Sequence, residues 1–181
     1  MRWLISLLLL PGLALAQTPA EKRANADKLL TDLRQAPSPE AAVALEQLIQ
    51  QLWIDSGTAS VTLLMHRGLR ELQAESNNAA IDTFSDVIVL DPTLAAAWHR
   101  RGIARFQIGD TAGAVGDFQE AVALEPRNFA VWRTLADIAA QREDWRAAYG
   151  AWQKVMELDP KTPDGDNRLR ELKRQAVGED T

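Results

Sequence analysis

Three stretches of this 181-residue chain lie over one another without a gap, beginning at Val61, Ala95 and Phe129, at a spacing of 34 residues. Counted from those starts, position 8 reads Gly68, Gly102 and Ala136, and position 20 reads Ala80, Ala114 and Ala148. Position 4 reads Leu64, Trp98 and Trp132, and position 24 reads Phe84, Phe118 and Trp152. Position 30 is Leu three times (Leu90, Leu124, Leu158), position 31 is acidic (Asp91, Glu125, Asp159), and position 32 is Pro (Pro92, Pro126, Pro160). A tandem repeat of this length restricts the fold more than any composition does. Each unit must be a small supersecondary structure whose apolar face is buried on its neighbours.

The residues at each position say which structure. Within a unit, apolar residues recur at helical spacing in two stretches of about 13 residues, separated by a break that reads Gly109-Asp110 in the middle unit. Small side chains at positions 8 and 20 let two helices approach closely, and the large ones at 4 and 24 fill the space beside them. Ser76, Asp110 and Asp144 at position 16 are candidate N-caps for the second helix. The proline at position 32 ends it, since proline lacks an N–H and disfavours helix in the residue before it. The unit is a helix hairpin, and the fold is all-α.

These residues resemble the tetratricopeptide repeat (TPR) family, with units at 61–94, 95–128 and 129–162. The middle unit, AAAWHRRGIARFQIGDTAGAVGDFQEAVALEPRN, carries the pattern most fully. The chain departs from it at position 7, where the family Leu is Arg67 and Arg101, and at position 11, where the family Tyr is Glu71, Arg105 and Ala139. Gly at position 15 survives only as Gly109. The resemblance implies a right-handed α-solenoid of three hairpins. It is nearly silent on function, because this fold hosts many binding roles.

The flanks complete the organisation. Residues 20–35 carry Ala26, Leu29, Leu30 and Leu33 on one helical face. Ser38 then caps a second helix with Pro39 at its first position, running to about Asp55 with Leu45, Leu48, Ile49 and Leu52 inward. The two helices and their link, 17–60, resemble a degenerate repeat used as an N-terminal cap, and the stretch LEQLIQQLWIDSGTASVTLLMHRG resembles small secreted repeat proteins of Gram-negative bacteria. Residues 163–181 hold a one-sided helix anchored by Leu169 and Leu172, as a terminal cap requires. Residues 1–16 read as a signal peptide. Arg2 precedes the apolar run Trp3 to Leu10, Pro11-Gly12 breaks it, and Ala14-Leu15-Ala16 presents small residues to a peptidase. Cleavage after Ala16 leaves no span long enough for a bilayer, and the expected location is the periplasm.

Composition removes several functions. A net charge of −5, or −6 once Arg2 is removed, opposes nucleic-acid binding through phosphate contacts. Without cysteine there is no disulfide, thiolate zinc site or cysteine nucleophile. Gly109, Gly113 and Gly116 have no preceding strand and no following Gly-Lys-Ser/Thr, so they read as turn and packing glycines rather than a phosphate loop. Taking Gly165 as the sixth residue of a calcium loop places Glu171 correctly, yet puts Pro160 where a carboxylate must stand. His66 and His99 have no second ligand at i+4. No nucleophile elbow and no cleft-facing carboxylate pair is evident, so no enzyme, metal or cofactor is expected.

The informative surface is the first helix of each hairpin. The resemblance implies that positions 2, 5, 9, 12 and 13 line a concave groove. Carried over, these are Thr62, Met65, Leu69, Leu72 and Gln73, then Ala96, His99, Ile103, Phe106 and Gln107, then Ala130, Arg133, Asp137, Ala140 and Gln141. The expected peptide-binding set is Met65, Leu69, Leu72, His99, Arg100, Ile103, Phe106, Arg133 and Asp137, with a ligand carboxylate between His99 and Arg133; the alternative is that the 20–35 helix itself occupies the groove and makes it packing surface. The chaperone-tail clamp of some family members uses Lys or Arg at 5 and Asn at 9 of the first repeat and Asn at 6 of the second. Met65, Leu69 and Arg100 stand there, so that clamp is absent. The expected function is a non-catalytic periplasmic scaffold that binds a peptide or helix of another protein, in cell-envelope assembly, export or division. The alternatives are a non-catalytic subunit of an envelope enzyme or transport complex and a homo-oligomeric structural module.

Overall fold

The computed structural model describes residues 19–178, all-helical apart from short turns. The expected signal peptide, 1–16, lies outside the described residues. Among the described residues no helix is long and apolar enough to cross a membrane. The elements are α1 (Pro19–Arg34), α2 (Pro39–Ile54), α3 (Ala59–Gln73), α4 (Asn77–Leu90), α5 (Ala95–Gln107), α6 (Thr111–Leu124), α7 (Phe129–Gln141), α8 (Trp145–Leu158) and α9 (Gly165–Val177). Helices α3 to α8 form three antiparallel hairpins that stack in chain order.

Each hairpin closes on its small residues. A Cβ placed on Gly68 would stand 2.6 Å from the Phe84 ring, and one on Gly102 would stand 2.7 Å from Phe118. In the third hairpin Ala136 meets Trp152 instead. Trp98 and Trp132 at position 4 each donate their indole N–H to the carbonyl of the proline six residues earlier, Pro92 and Pro126, at 2.9 Å. One residue type therefore packs the hairpin and fixes the turn before it. Asp110 and Asp144 cap α6 and α8 by accepting from the Gly113 and Ala147 amides. Ser76 occupies the same place with no side-chain cap bond. Position 15 needs a left-handed residue in every unit. Gly109 takes it at φ 85°, while Glu75 and Glu143 take it at 55° and 59°.

The departures at positions 7 and 11 are linked through position 23. Arg101 makes a two-pronged bond to the buried Asp117 (3.0 and 2.7 Å), Arg105 adds a third at 3.0 Å, and Arg101 also donates to Ser85 of the preceding unit at 3.1 Å. In the first unit Glu71 accepts from Arg67 (2.8 Å) and from Thr83 (2.6 Å). The third unit fills the three places with Leu135, Ala139 and Ala151. Polar and apolar solutions thus change all three residues together.

The ends of the array differ. At the trailing end, Leu172 of α9 is fully buried against α8, and Trp152 donates to the Gly165 carbonyl at 3.0 Å. At the leading end, the helix pair α1–α2 does not stack on α3 as a preceding repeat would. It lies across α5 and α7, with Leu30, Leu33, Ala36, Ala42 and Ile49 closing a core with Phe129, and Leu158 packed against it. The leading face of α3 is consequently bare: Leu63 at position 3 is 67% exposed, whereas Ala97 and Val131 at the same position are fully buried. The expected inward face of α2 is corrected at Leu48, which is 57% exposed; Ile49 is buried and Leu45 packs on the same core, and Ala42, Glu46 and Ile54 join the buried positions. The helix presents Glu46 to the half-buried Arg133 cation, a demand that the apolar pattern does not display.

Candidate peptide-binding groove

The groove is built by the first helices α3, α5 and α7, and α2 occupies half of it. Residues 46, 50 and 54 lie four apart, so their side chains form one ridge on α2. That ridge meets the three repeats in turn. Glu46 accepts from Arg133 Nη1 and Nη2 at 3.1 and 2.6 Å. Gln50 Oε1 accepts from Arg100 at 3.4 Å. Ile54 packs in the core that holds Val61 and Met65. Beside the ridge, Trp53 lies tilted on Phe129 with ring centroids 5.6 Å apart. The pair is pinned at its edges by Lys22 Nζ donating to the Asp55 carbonyl at 2.7 Å and by Arg127 paired with Asp27 at 2.7 Å.

The anchor at Arg133 is a buried cluster of charge. Arg133 also donates to Thr162 Oγ1 at 2.8 Å and lies 5.8 Å over the Phe129 ring. Asp159 is fully buried 3.8 Å from Arg133, and neither of its oxygens accepts a hydrogen bond among the described residues. Position 31 is a turn acid elsewhere: Asp91 accepts from the Thr93 amide and Glu125 from the Arg127 amide. In the third unit the same residue is enclosed under α2. Burial, reinforced by the adjacent Glu46 carboxylate, raises the Asp159 carboxyl to about 7. Burial also works to raise Glu46, but the Arg133 guanidinium outweighs it and holds that carboxyl below its usual range. One arginine serves two carboxyl groups, and the pair holds a proton near neutrality.

The sequence-predicted residues divide into two rows. Met65, His99, Arg100 and Arg133 fall in the row beside α2. His99 is buried, bonded through Nε2 to Thr134 Oγ1 at 3.0 Å and set edge-on to Phe118. Burial, aided by the Arg100 charge, pushes it down to about 3, so it is neutral and faces a neighbouring helix rather than a ligand carboxylate. Leu69, Leu72, Ile103 and Phe106 form the second row, partly exposed and packed on the repeat cores. Asp137 is exposed, 3.7 Å from Arg168 of α9. The sequence reading misses Glu46, Gln50, Trp53, Asp159 and Thr162. One signal was present: Glu46 is the sole charge between Glu40 and Asp55.

Stacked helix hairpins around a concave groove define an α-solenoid of the helical-repeat class, whose surfaces are made for protein segments. Residues 95–128 match the tetratricopeptide repeat family, so the middle hairpin is a TPR unit. A TPR repeat-containing protein of Rhizobium etli is 33% identical over 75 residues, a match covering 41% of this chain and 37% of that relative's length. Among solved structures, the first TPR of Spaghetti (RPAP3) bound to the HSP90 peptide SRMEEVD superposes with a TM-score of 0.59 at 21% identity, covering 65% of this chain and 94% of that one. The MamA protein superposes with a TM-score of 0.53 at 18% identity, covering 86% and 88%. At these identities the two structures share the fold.

Proposed function

We propose that the chain is a non-catalytic protein–protein interaction scaffold of the bacterial periplasm that holds a segment of another protein in its concave groove, in cell-envelope assembly, export or division. The observation that carries this reading is the groove itself, in which α2 is seated through the pairing of buried Glu46 with Arg133 and the Trp53–Phe129 contact. A surface that binds a helix of its own chain has the apolar floor and the fixed cation that a foreign segment needs. The solved relative with a peptide supports peptide binding by this fold. Its peptide ends in an acidic motif, and the residues of the chaperone-tail clamp are replaced here by Met65, Leu69 and Arg100, which favours a different ligand. The layout of residues 1–16 supports export.

Two measurements test the reading. A photocrosslinking residue in place of Gln107, exposed beside Phe106, is expected to capture a partner in cells, while one in place of Glu120 on α6 is not. Adducts from Glu120 alone reject the groove. The secreted chain is expected to begin at Gln17, and an intact mass that retains Met1 to Ala16 rejects cleavage.

A further inference from the structure

The α1–α2 pair meets the array through the groove, while the face of α3 where a preceding repeat would stack is left open, with Leu63 exposed. The chain passes from α2 to α3 through the short polar link Asp55-Ser56-Gly57-Thr58, beside which Ile54 packs with Val61 and Met65 and Asp55 Oδ1 lies 2.9 Å from His66 Nε2. What fills the groove is a helix. Glu46, Gln50 and Ile54 on one ridge reach Arg133, Arg100 and the Met65 core, one repeat at a time, and Ile49 and Trp53 on the adjacent ridge bury against Phe129.

We propose that α2 is an exchangeable resident of this groove, and that the partner is an amphipathic helix of another protein which takes its place, with a carboxylate for Arg133, an apolar residue eight positions on for Met65, and an aromatic seven positions on for Phe129. The proposal rests on the groove-binding function above and names its ligand class. A tethered helix competes at an effective concentration of about millimolar for a short link, so apparent affinity for the partner rises when the resident helix is weakened.

The probe is a fluorescein-labelled synthetic peptide of residues 37–56, titrated into the full chain, and the same peptide carrying Glu46→Lys. Two chains have the resident helix weakened from its own side: Ile49→Asp, and Glu46→Lys for the case that the first variant fails to fold. The wild-type peptide is expected to bind the weakened chain at least tenfold more tightly than the unaltered chain, with the array's helicity retained. The Glu46→Lys peptide is expected to lose at least tenfold on that same chain. No binding to either weakened chain, or binding that ignores the charge reversal in the peptide, overturns the proposal. A partner still crosslinked through Gln107 in that event keeps the scaffold function and rejects helix exchange alone.

Discussion

A Cβ on Gly102 would stand 2.7 Å from Phe118, so the residue is glycine for want of space, its helical backbone making no demand of its own. Gly102→Leu is expected to lower stability by at least about 1–3 kcal/mol, because the added carbons must force apart two helices whose contact is already closed. Chemical denaturation reads the loss, and an unchanged midpoint would show that position 8 does not face the second helix. Sequence reasoning reaches this residue because the periodicity repeats it, with Gly68 and Ala136 in the same place. It does not reach Glu75 and Glu143, whose left-handed backbone is imposed by the hairpin turn. Such a conformation costs an L-residue about 1–2 kcal/mol, and only the stacked array holds it in place.

At the scale of the element, α2 is the helix whose role the structure changes. Its apolar residues place it as a buried helix, yet the partner that decides which face turns inward, Arg133, lies 87 residues away. Its seat gives a pH signature. Asp159 is raised from 3.8 to about 7, so the folded state holds that proton more tightly, and the stability it contributes is full below pH 3.8 and lost as pH rises towards 7. His99 is lowered from 6.5 to about 3, so its contribution is full above pH 6.5 and lost as pH falls towards 3. Between about pH 4 and 6.5 the two slopes oppose each other, each worth about 1.4 kcal/mol per pH unit. Asp159→Asn, measured as a difference from the unaltered chain, is therefore expected to make stability rise with pH across that window, and His99→Gln to make it fall. Glu46, Arg133 and Thr162 surround the first group, and Arg100, Thr134 and Phe118 the second. Parallel profiles for both variants would show that neither group is held out of its usual range.

For the whole molecule, one repeat position has opposite fates. Val131 is buried against the preceding hairpin, while Leu63 faces outward where no hairpin precedes it. Val131→Ala is expected to cost about 2 kcal/mol and Leu63→Ala to stay within about 0.5 kcal/mol, although leucine loses more carbons. Equal losses in thermal or denaturant melts would mean that a helix caps α3 in solution. The sequence determined the repeat register, the hairpins, their glycine and proline punctuation and the terminal helix α9, because each rests on contacts within one unit or between adjacent units, where the same residue recurs every 34 positions. The changes at positions 7 and 11 were present in it as two departures, and only the fold joined Arg101 and Arg105 to Asp117 at position 23. The tertiary structure alone decided that α2 lies in the groove, that Glu46 is buried on Arg133, and that Asp159 is enclosed where Asp91 and Glu125 serve turns. The physical reason is that a helix pair with one apolar face is satisfied equally by the end of a solenoid or by its groove. The choice turns on contacts between residues far apart in the chain, Glu46 with Arg133 and Trp53 with Phe129 among them, and periodicity carries no record of them.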